Sequence, residues 1–120
     1  MNRWVLLEHI VSAGNSVDIH FDFLIEQKLD CLTWKLLEIP SLEKDFVEIS
    51  KQPNHRLVWL SRKEYNLSRN RGHVKRIDNG TYINVSSKLD SQEINLIVDG
   101  IILKGFMEIS GNLCRLTKNI

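Results

Sequence analysis

The sequence contains few of the residues that mark well-known structural and catalytic motifs. Its two cysteines, Cys31 and Cys114, are far apart and form no Cys-x-x-Cys pair, so a structural zinc site of cysteine type is excluded. We expect two buried thiols in a reducing compartment, with a single disulfide as the alternative. There is no glycine-rich phosphate loop and no Gly-x-Ser-x-Gly element, which sets aside P-loop nucleotide binding and serine-based acyl chemistry.

The chain also lacks an excess of charge of either sign and a long apolar run. Its net charge is +1, so attraction to nucleic acid has to come from local patches. No run approaches the roughly 18 apolar residues of a membrane span, and the apolar patch after Met1 is too short for a signal peptide. With 42% hydrophobic and 26% charged residues over 120 positions, composition is that of a globular protein. We expect one soluble, cytoplasmic domain over residues 1–120, without membrane association.

Short β-like runs separated by turn residues dominate what the sequence does contain. No segment supports a long helix, and residues 41–45 and 87–93 could each form a helical turn at most. This pattern predicts an all-β fold, either a small barrel or a sandwich, with short helical turns at most. The predicted strands are 3–11, 17–26, 31–38, 46–50, 55–60, 94–98, 101–109 and 113–117, with a turn over 52–54 and a hairpin over 75–83 that turns at Asn79-Gly80.

Residues 20–26 form the most informative stretch. Read as a strand, it places three large apolar side chains on one face and His20, Asp22 and Glu26 on the other, together with a leucine. His20 and Asp22 are about 6.6 Å apart along such a strand and can lean toward a single cation. Glu26, on the same face, is a candidate to orient a metal ligand. The competing interpretation is the wet face of an antiparallel sheet, which needs no ligand.

His9 extends this set if the first two predicted strands pair. Alternation puts His9 on an apolar face, where a lone histidine is more often a core residue. If the strands pair through the Gly14-Asn15 turn, His9 faces His20 and Asp22 across the ladder, where opposed Cβ atoms are about 5 Å apart. Two imidazoles and one carboxylate on adjacent strands suit Zn, Mn or Fe(II) and leave positions open for water or substrate oxygens.

A basic run covers residues 62–76. It contains six Lys or Arg residues against Glu64, a local charge of +5, with Tyr65 inside the run and Trp59 just before it. Basic residues with nearby aromatics suit single-stranded or end-proximal nucleic acid, although such a run is usually only a solvated loop. The candidate nucleic-acid contacts are Arg69, Arg71, Lys75 and Arg76.

Two further histidines have separate interpretations. His55 opens a predicted strand, so we expect its ring near a loop mouth, where it can donate a proton or a hydrogen bond to a phosphate. The alternative is a solvated histidine at a strand start. His73 lies within the basic run and is assigned to that basic surface rather than to a ligand set.

The order of these motifs resembles the 3′-phosphoesterase domain found at the N-terminus of bacterial DNA ligase D proteins and in stand-alone proteins. The resemblance covers nearly the whole chain, and the shared order carries more of it than any single motif. The matching features are Glu8-His9, His20-Phe21-Asp22-Phe23 ending in Glu26, Leu32-Thr33-Trp34 leading to Ile39-Pro40, His55 with Trp59 four places on, Gly72-x-Val74, Asp78-x-Gly80, and Leu103-x-Gly105 followed by 113–118.

The resemblance implies a small antiparallel β-barrel that removes a phosphate or a ribonucleoside from the 3′ ends of nucleic acid, a hydrolase of the DNA-repair type. It implies manganese as the cofactor, with Zn²⁺ as the alternative, held by His9, His20 and Asp22. His55 would be the catalytic residue that contacts the phosphate. The partners would be nucleic-acid 3′ ends and DNA-repair proteins.

Several positions depart from the family pattern. Leu24 stands where the family has an arginine, Pro53 and Asn54 replace an acidic pair, and Trp59 replaces a tyrosine. Loss of a guanidinium removes a bidentate contact to phosphate that leucine cannot replace. Three functions are therefore weighed: a metal-dependent 3′-phosphoesterase of reduced activity, a metal- and nucleic-acid-binding module without turnover, and a structural β-domain in which the histidines are incidental.

Overall fold

The computed structural model describes residues 2–67, 71–86, 88–89 and 92–119, and its regular elements are almost all β-strands. The helical content of this part of the chain is a single 3-10 turn, Leu57–Leu60. The strands are β1 (Arg3–Ala13), β2 (Ser16–Glu26), β3 (Cys31–Leu36), β4 (Val47–His55), β5 (Glu64–Asn66), β6 (His73–Asn84), β7 (Glu93–Asp99), β8 (Lys104–Ser110) and β9 (Leu113–Thr117).

The strands form one antiparallel sheet whose ends meet. Pairing runs in the order β1-β2-β3-β4-β9-β8-β7-β6, and β6 pairs with β1 as well, which closes a ring of hydrogen-bonded strands. β5 pairs with the first part of β6. The predicted all-β, antiparallel, barrel-like fold with short helical turns at most is confirmed. Within the described residues, no helix has the length and apolar character needed to cross a membrane.

Two groups of buried side chains lie on opposite faces of the sheet. The inner cluster takes side chains from all eight strands of the ring, including Trp4, Phe23 and Met107. The outer cluster lies on the other face of β1, β2 and β6, where the 3-10 turn covers it. Its buried members are Val5, Leu7, Leu24, Cys31, Leu60 and Val74, with Leu57, Trp59 and Leu67 packed against them.

The two cysteines belong to different clusters, and both thiols are free and buried. Burial raises the pKa of Cys31 to about 11 and the pKa of Cys114 to about 12. These thiols therefore stay protonated and serve as small apolar side chains.

The predicted hairpin over 75–83 is wrong, because β6 runs straight through Asn79-Gly80. Both residues pair with β1, where Gly80 lies opposite Trp4. A Cβ at Gly80 would collide with the carbonyl of Asp99. The glycine therefore permits a close approach of two backbones, and long-range pairing overrides a strong local turn signal.

The predicted turn over 52–54 and strand over 55–60 are also wrong. Pro53 lies within β4, where the register against β3 shifts, and such a bulge accommodates a residue that has no N–H to donate. His55 is the last residue of β4, and the chain continues into the 3-10 turn.

The remaining points concern strand ends and turns. The predicted strand 101–109 begins at Lys104, and β5 was not predicted. A single turn forms at 41–44, where the Lys44 N–H donates to the Ser41 carbonyl at 3.2 Å. In the second predicted helical turn, over 87–93, residues 87, 90 and 91 lie outside the described residues, and Glu93 is the first residue of β7.

Candidate metal centre

The β1–β2 hairpin brings His9, His20 and Asp22 together. The two strands pair through the Gly14-Asn15 turn, with His9 opposite His20 and Leu7 opposite Asp22. Residues directly opposite one another share a face, so all three side chains lie on the outer face, in the same cross-strand rows as Leu7 and Val74 of the outer cluster. The site is therefore built on the outside of the ring.

The three side chains are close enough to share one ion. His9 Nδ1 lies 4.0 Å from Asp22 Oδ2, and His20 Nε2 lies 3.5 Å from Asp22 Oδ1. One ligand atom from each residue can be chosen so that all three lie within 4.8 Å of one another. Ligands bound to one ion at about 2.1 Å are about 3.0–3.5 Å apart, so small side-chain rotations complete the set. Two imidazoles and a carboxylate fit Mn²⁺, Zn²⁺ or Fe²⁺.

A backbone carbonyl fixes the orientation of the His9 ring. His9 Nε2 lies 2.9 Å from the carbonyl oxygen of Arg71, to which its N–H donates. That tautomer leaves the Nδ1 lone pair facing Asp22, which is the arrangement of a metal-binding histidine held by an outer hydrogen bond. Gly72 makes the approach possible, since its φ is +108° and a Cβ there would collide with the carbonyl of Ile10.

His20 is held in the state that binds metal. Burial lowers its pKa, and the positive charge of Lys35 adds to this effect, against the raising influence of Asp22 and Asp18. Its Nδ1 is buried without a hydrogen-bond partner among the described residues, and the nearest acidic oxygen, on Asp18, is 3.9 Å away. A neutral imidazole whose Nε2 faces a carboxylate is ready to coordinate a cation.

Lys35 is a neighbour of this group that sequence reasoning did not single out. It lies on β3 directly opposite Asp22, so the two side chains share the outer face. Lys35 is half-buried and makes no hydrogen bond or ion pair within the described residues. Alternation along β3 could have placed Lys35 on the outer face, but its position opposite Asp22 depends on a register that the sequence does not reveal.

Two predicted site residues are not brought to the metal group. The Glu26 carboxylate accepts hydrogen bonds from the Arg3 backbone N–H at 3.0 Å and from the Arg3 guanidinium at 3.2 and 2.9 Å. His55 lies at the same end of the sheet, opposite Cys31, with Nδ1 3.0 Å from the Pro53 carbonyl. From strand rise and spacing, His55 is about 16 Å from Asp22 along the sheet.

Of the basic residues predicted to bind nucleic acid, those that the structure describes lie at different distances from the metal group and differ in exposure. Arg76 is half-buried, lies opposite Leu7, and donates to the Leu60 carbonyl at 3.4 Å. Lys75 is exposed between Glu8 and Glu64 on the neighbouring strands. Arg71 is exposed, and Arg69 lies outside the described residues.

The aromatic rings in and beside the basic run, and the ring of His73, contact neighbouring side chains of the protein. Tyr65 and Trp59 meet edge to face at 5.7 Å, and the Arg62 guanidinium stacks over both rings. His73 is not part of the metal group, because its ring lies between Asn66 and Glu64, at 2.6 and 2.9 Å.

A comparison of the chain with protein-family models and with curated proteins finds no match.

Proposed function

We propose that this chain is a divalent-metal-dependent phosphoesterase that acts on the 3′ ends of nucleic acid, of the class found in bacterial DNA ligase D proteins. The observation that carries the proposal is the group formed by His9, His20 and Asp22 on the outer face of the β1–β2 hairpin. The proposed ion is Mn²⁺, with Zn²⁺ as the alternative. The proposed setting is the repair of nucleic-acid ends in the cytoplasm, with other repair proteins as partners.

The residues around the group support an anionic substrate. When bound, a divalent ion polarises a phosphoryl oxygen and lowers the pKa of a coordinated water. Asp22 brings one negative charge to the ligand set, so the loaded site keeps a net positive charge that attracts phosphate. Lys35 lies directly opposite Asp22 on β3, and Arg76 lies in the same cross-strand row on the other side of Leu7. Both add positive charge near the group.

The second candidate function is a metal- and nucleic-acid-binding module without turnover. The position of His55 at the end of β4, about 16 Å from Asp22 along the sheet, favours it. Leu24, where the related domains carry an arginine, is fully buried in the outer cluster and offers no contact to a phosphate. In this case the metal group and the basic residues would bind an end without cleaving it.

An end-processing assay separates the two functions. Primer-templates ending in a 3′-phosphate or a 3′-ribonucleotide are incubated with Mn²⁺ or Zn²⁺ and the wild type, His20→Ala, Asp22→Ala, or the control His73→Ala. The phosphoesterase releases phosphate or nucleoside, loses at least about 100-fold in rate in the first two variants, and keeps its rate in the control. Salt-sensitive binding without product identifies the module. If the wild type neither binds the nucleic acid nor releases a product, both candidate functions are overturned.

A further inference from the structure

The metal group has a cationic neighbour, Lys35, that forms no ion pair with any residue of the described chain. Lys35 extends from β3 directly opposite Asp22, on the outer face that carries His9 and His20. Cβ atoms of directly opposed residues are about 5 Å apart, so the ammonium can reach the space in front of the ligand set. The side chain is half-buried and has no hydrogen bond or ion pair among the described residues.

A bound divalent cation changes what Lys35 can contact. Asp22 lies directly opposite it on β2, and the oxygens of Asp22 face the two imidazoles. Once those oxygens bind an ion, two positive centres share one carboxylate, and Lys35 needs another acceptor. With the ion at +2, Lys35 at +1 and Asp22 at −1, the local charge is +2. A dianionic ligand that contacts both centres neutralises it.

The chemistry of a terminal phosphate monoester fits this charge. Its second pKa is about 6, so it carries nearly two negative charges at neutral pH, whereas an internal phosphodiester carries one. A phosphate monoester also has three non-bridging oxygens, so one of them can accept a hydrogen bond from an ammonium while another faces the ion.

We propose that Lys35 is a substrate-binding residue that donates to a non-bridging oxygen of a terminal phosphate held at the His9, His20 and Asp22 group. This inference rests on the proposed function for the presence of the ion. It adds to that function a contact from β3 and a preference for a phosphate monoester over a diester. Leu24 stands where the related domains carry an arginine, and in this chain Lys35 on the neighbouring strand supplies a positive charge instead.

Phosphate binding to the metal-loaded protein tests the proposal without relying on turnover. Calorimetric titrations of Mn²⁺ alone, and then of inorganic phosphate into the Mn²⁺-loaded protein, are compared for the wild type, Lys35→Met, Lys35→Arg and Lys104→Met. Lys104 is the matched control, since it lies on β8 and pairs with Asp99 at 3.7 Å.

Lys35→Met should weaken phosphate binding about tenfold, because one charge-assisted hydrogen bond is lost. Its affinity for Mn²⁺ alone should stay equal to that of the wild type or rise, because a repelling charge is removed. Lys35→Arg should bind phosphate within about threefold of the wild type, and Lys104→Met should be unchanged.

Unchanged phosphate affinity in Lys35→Met overturns the proposal. A joint loss of Mn²⁺ and phosphate affinity in that variant also overturns it, since Lys35 would then act through the structure of the site. A wild type that binds no Mn²⁺, or binds Mn²⁺ without phosphate, overturns it too. If phosphate binding depends on Lys35 but no 3′-phosphate is released from a primer, this inference stands and the proposed phosphoesterase activity fails.

Discussion

At the scale of single residues, the metal group depends on a backbone contact as much as on its three side chains. The Arg71 carbonyl sets the tautomer of His9, and Gly72 lets that carbonyl approach. Sequence alternation could place His9, His20 and Asp22 on one face of two strands. It could not reveal the Arg71 contact, because a carbonyl oxygen carries no signature in the sequence.

Gly72→Ala should therefore weaken both the fold and the metal site. Its φ of +108° and the collision of a Cβ with the Ile10 carbonyl predict a loss of about 2–4 kcal/mol in the free energy of unfolding, measured by urea denaturation. Mn²⁺ affinity should also fall, because the His9 ring loses its anchor. Gly111→Ala is the control: its φ is +58° with open space around it, so the cost should be about 1 kcal/mol with Mn²⁺ affinity unchanged. Equal effects of the two substitutions would contradict this account of Gly72.

Glu26 makes a pH-dependent contribution to stability rather than a contribution to the site. Its hydrogen bonds from Arg3 hold the pKa of the Glu26 carboxyl below its ordinary value of 4.5. A carboxylate whose pKa is lowered by folding stabilises the native state above the unfolded-state pKa, and that contribution is lost as pH falls through the lowered pKa.

Glu26→Gln should cost about 1 kcal/mol of unfolding free energy at pH 7, since Arg3 is partly exposed and its ion pair is screened. The difference from the wild type should shrink as the pH falls below about 4.5. Urea denaturation between pH 3 and pH 7 measures it. A difference that stays constant over this range would show that the Arg3–Glu26 ion pair is not its source.

At the scale of strands and loops, alternation is a reliable guide, whereas local turn signals hold at Gly14-Asn15 and fail at Asn79-Gly80 and over 52–54. The period-two pattern correctly assigned the faces of β1 and β2, because one face has to enter the core. The predicted turn at Asn79-Gly80 does not form, because its turn preference is weaker than its pairing with β1. The turn predicted around Pro53 does not form, because a bulge accommodates proline inside a strand.

The loop before β8 is held by one buried carboxylate. Asp78 accepts hydrogen bonds from the N–H groups of Ile101, Ile102 and Leu103 at 3.1, 2.8 and 2.8 Å, and from the Asn79 N–H at 2.9 Å. A carboxylate that accepts several backbone hydrogen bonds in a buried position anchors the chain strongly. These hydrogen bonds therefore anchor the loop to β6.

Asp78→Asn should cost about 2–3 kcal/mol of unfolding free energy, because an amide offers a single acceptor atom and brings N–H groups that need partners of their own. The control is Asp99→Asn at an exposed position, which should change stability by less than about 0.5 kcal/mol. Thermal and urea denaturation measure both. Similar stabilities for the two variants would contradict the anchoring role of Asp78.

At the scale of the whole molecule, the order of the paired strands separates His55 from the metal ligands with which the sequence analysis groups it. The metal group lies on the outer face in the middle of the β1–β2 ladder, whereas Glu26 is the last residue of β2 and His55 lies in the same cross-strand row at the end of β4. The fold class followed from strand spacing. The separation depends on which strands are neighbours, and this follows from long-range pairing that no local pattern encodes.

This separation gives a prediction for His55. His55→Ala should leave Mn²⁺ affinity within about twofold of the wild type, because about 16 Å of sheet separates it from Asp22. Calorimetry with Mn²⁺ measures this, with Asp22→Ala as the comparison that should lose binding. A large loss of Mn²⁺ affinity in His55→Ala would contradict this separation, because it would show that His55 affects the metal group.

The most direct test of the central claim is the stoichiometry of Mn²⁺ binding, measured by calorimetry on the wild type, on His9→Ala, His20→Ala and Asp22→Ala, and on His73→Ala as the control outside the group. The account predicts one ion per chain in the wild type and the control, and at least about a hundredfold weaker binding in each of the three variants. A wild type that binds no ion, or variants that bind as tightly as the control, would contradict it.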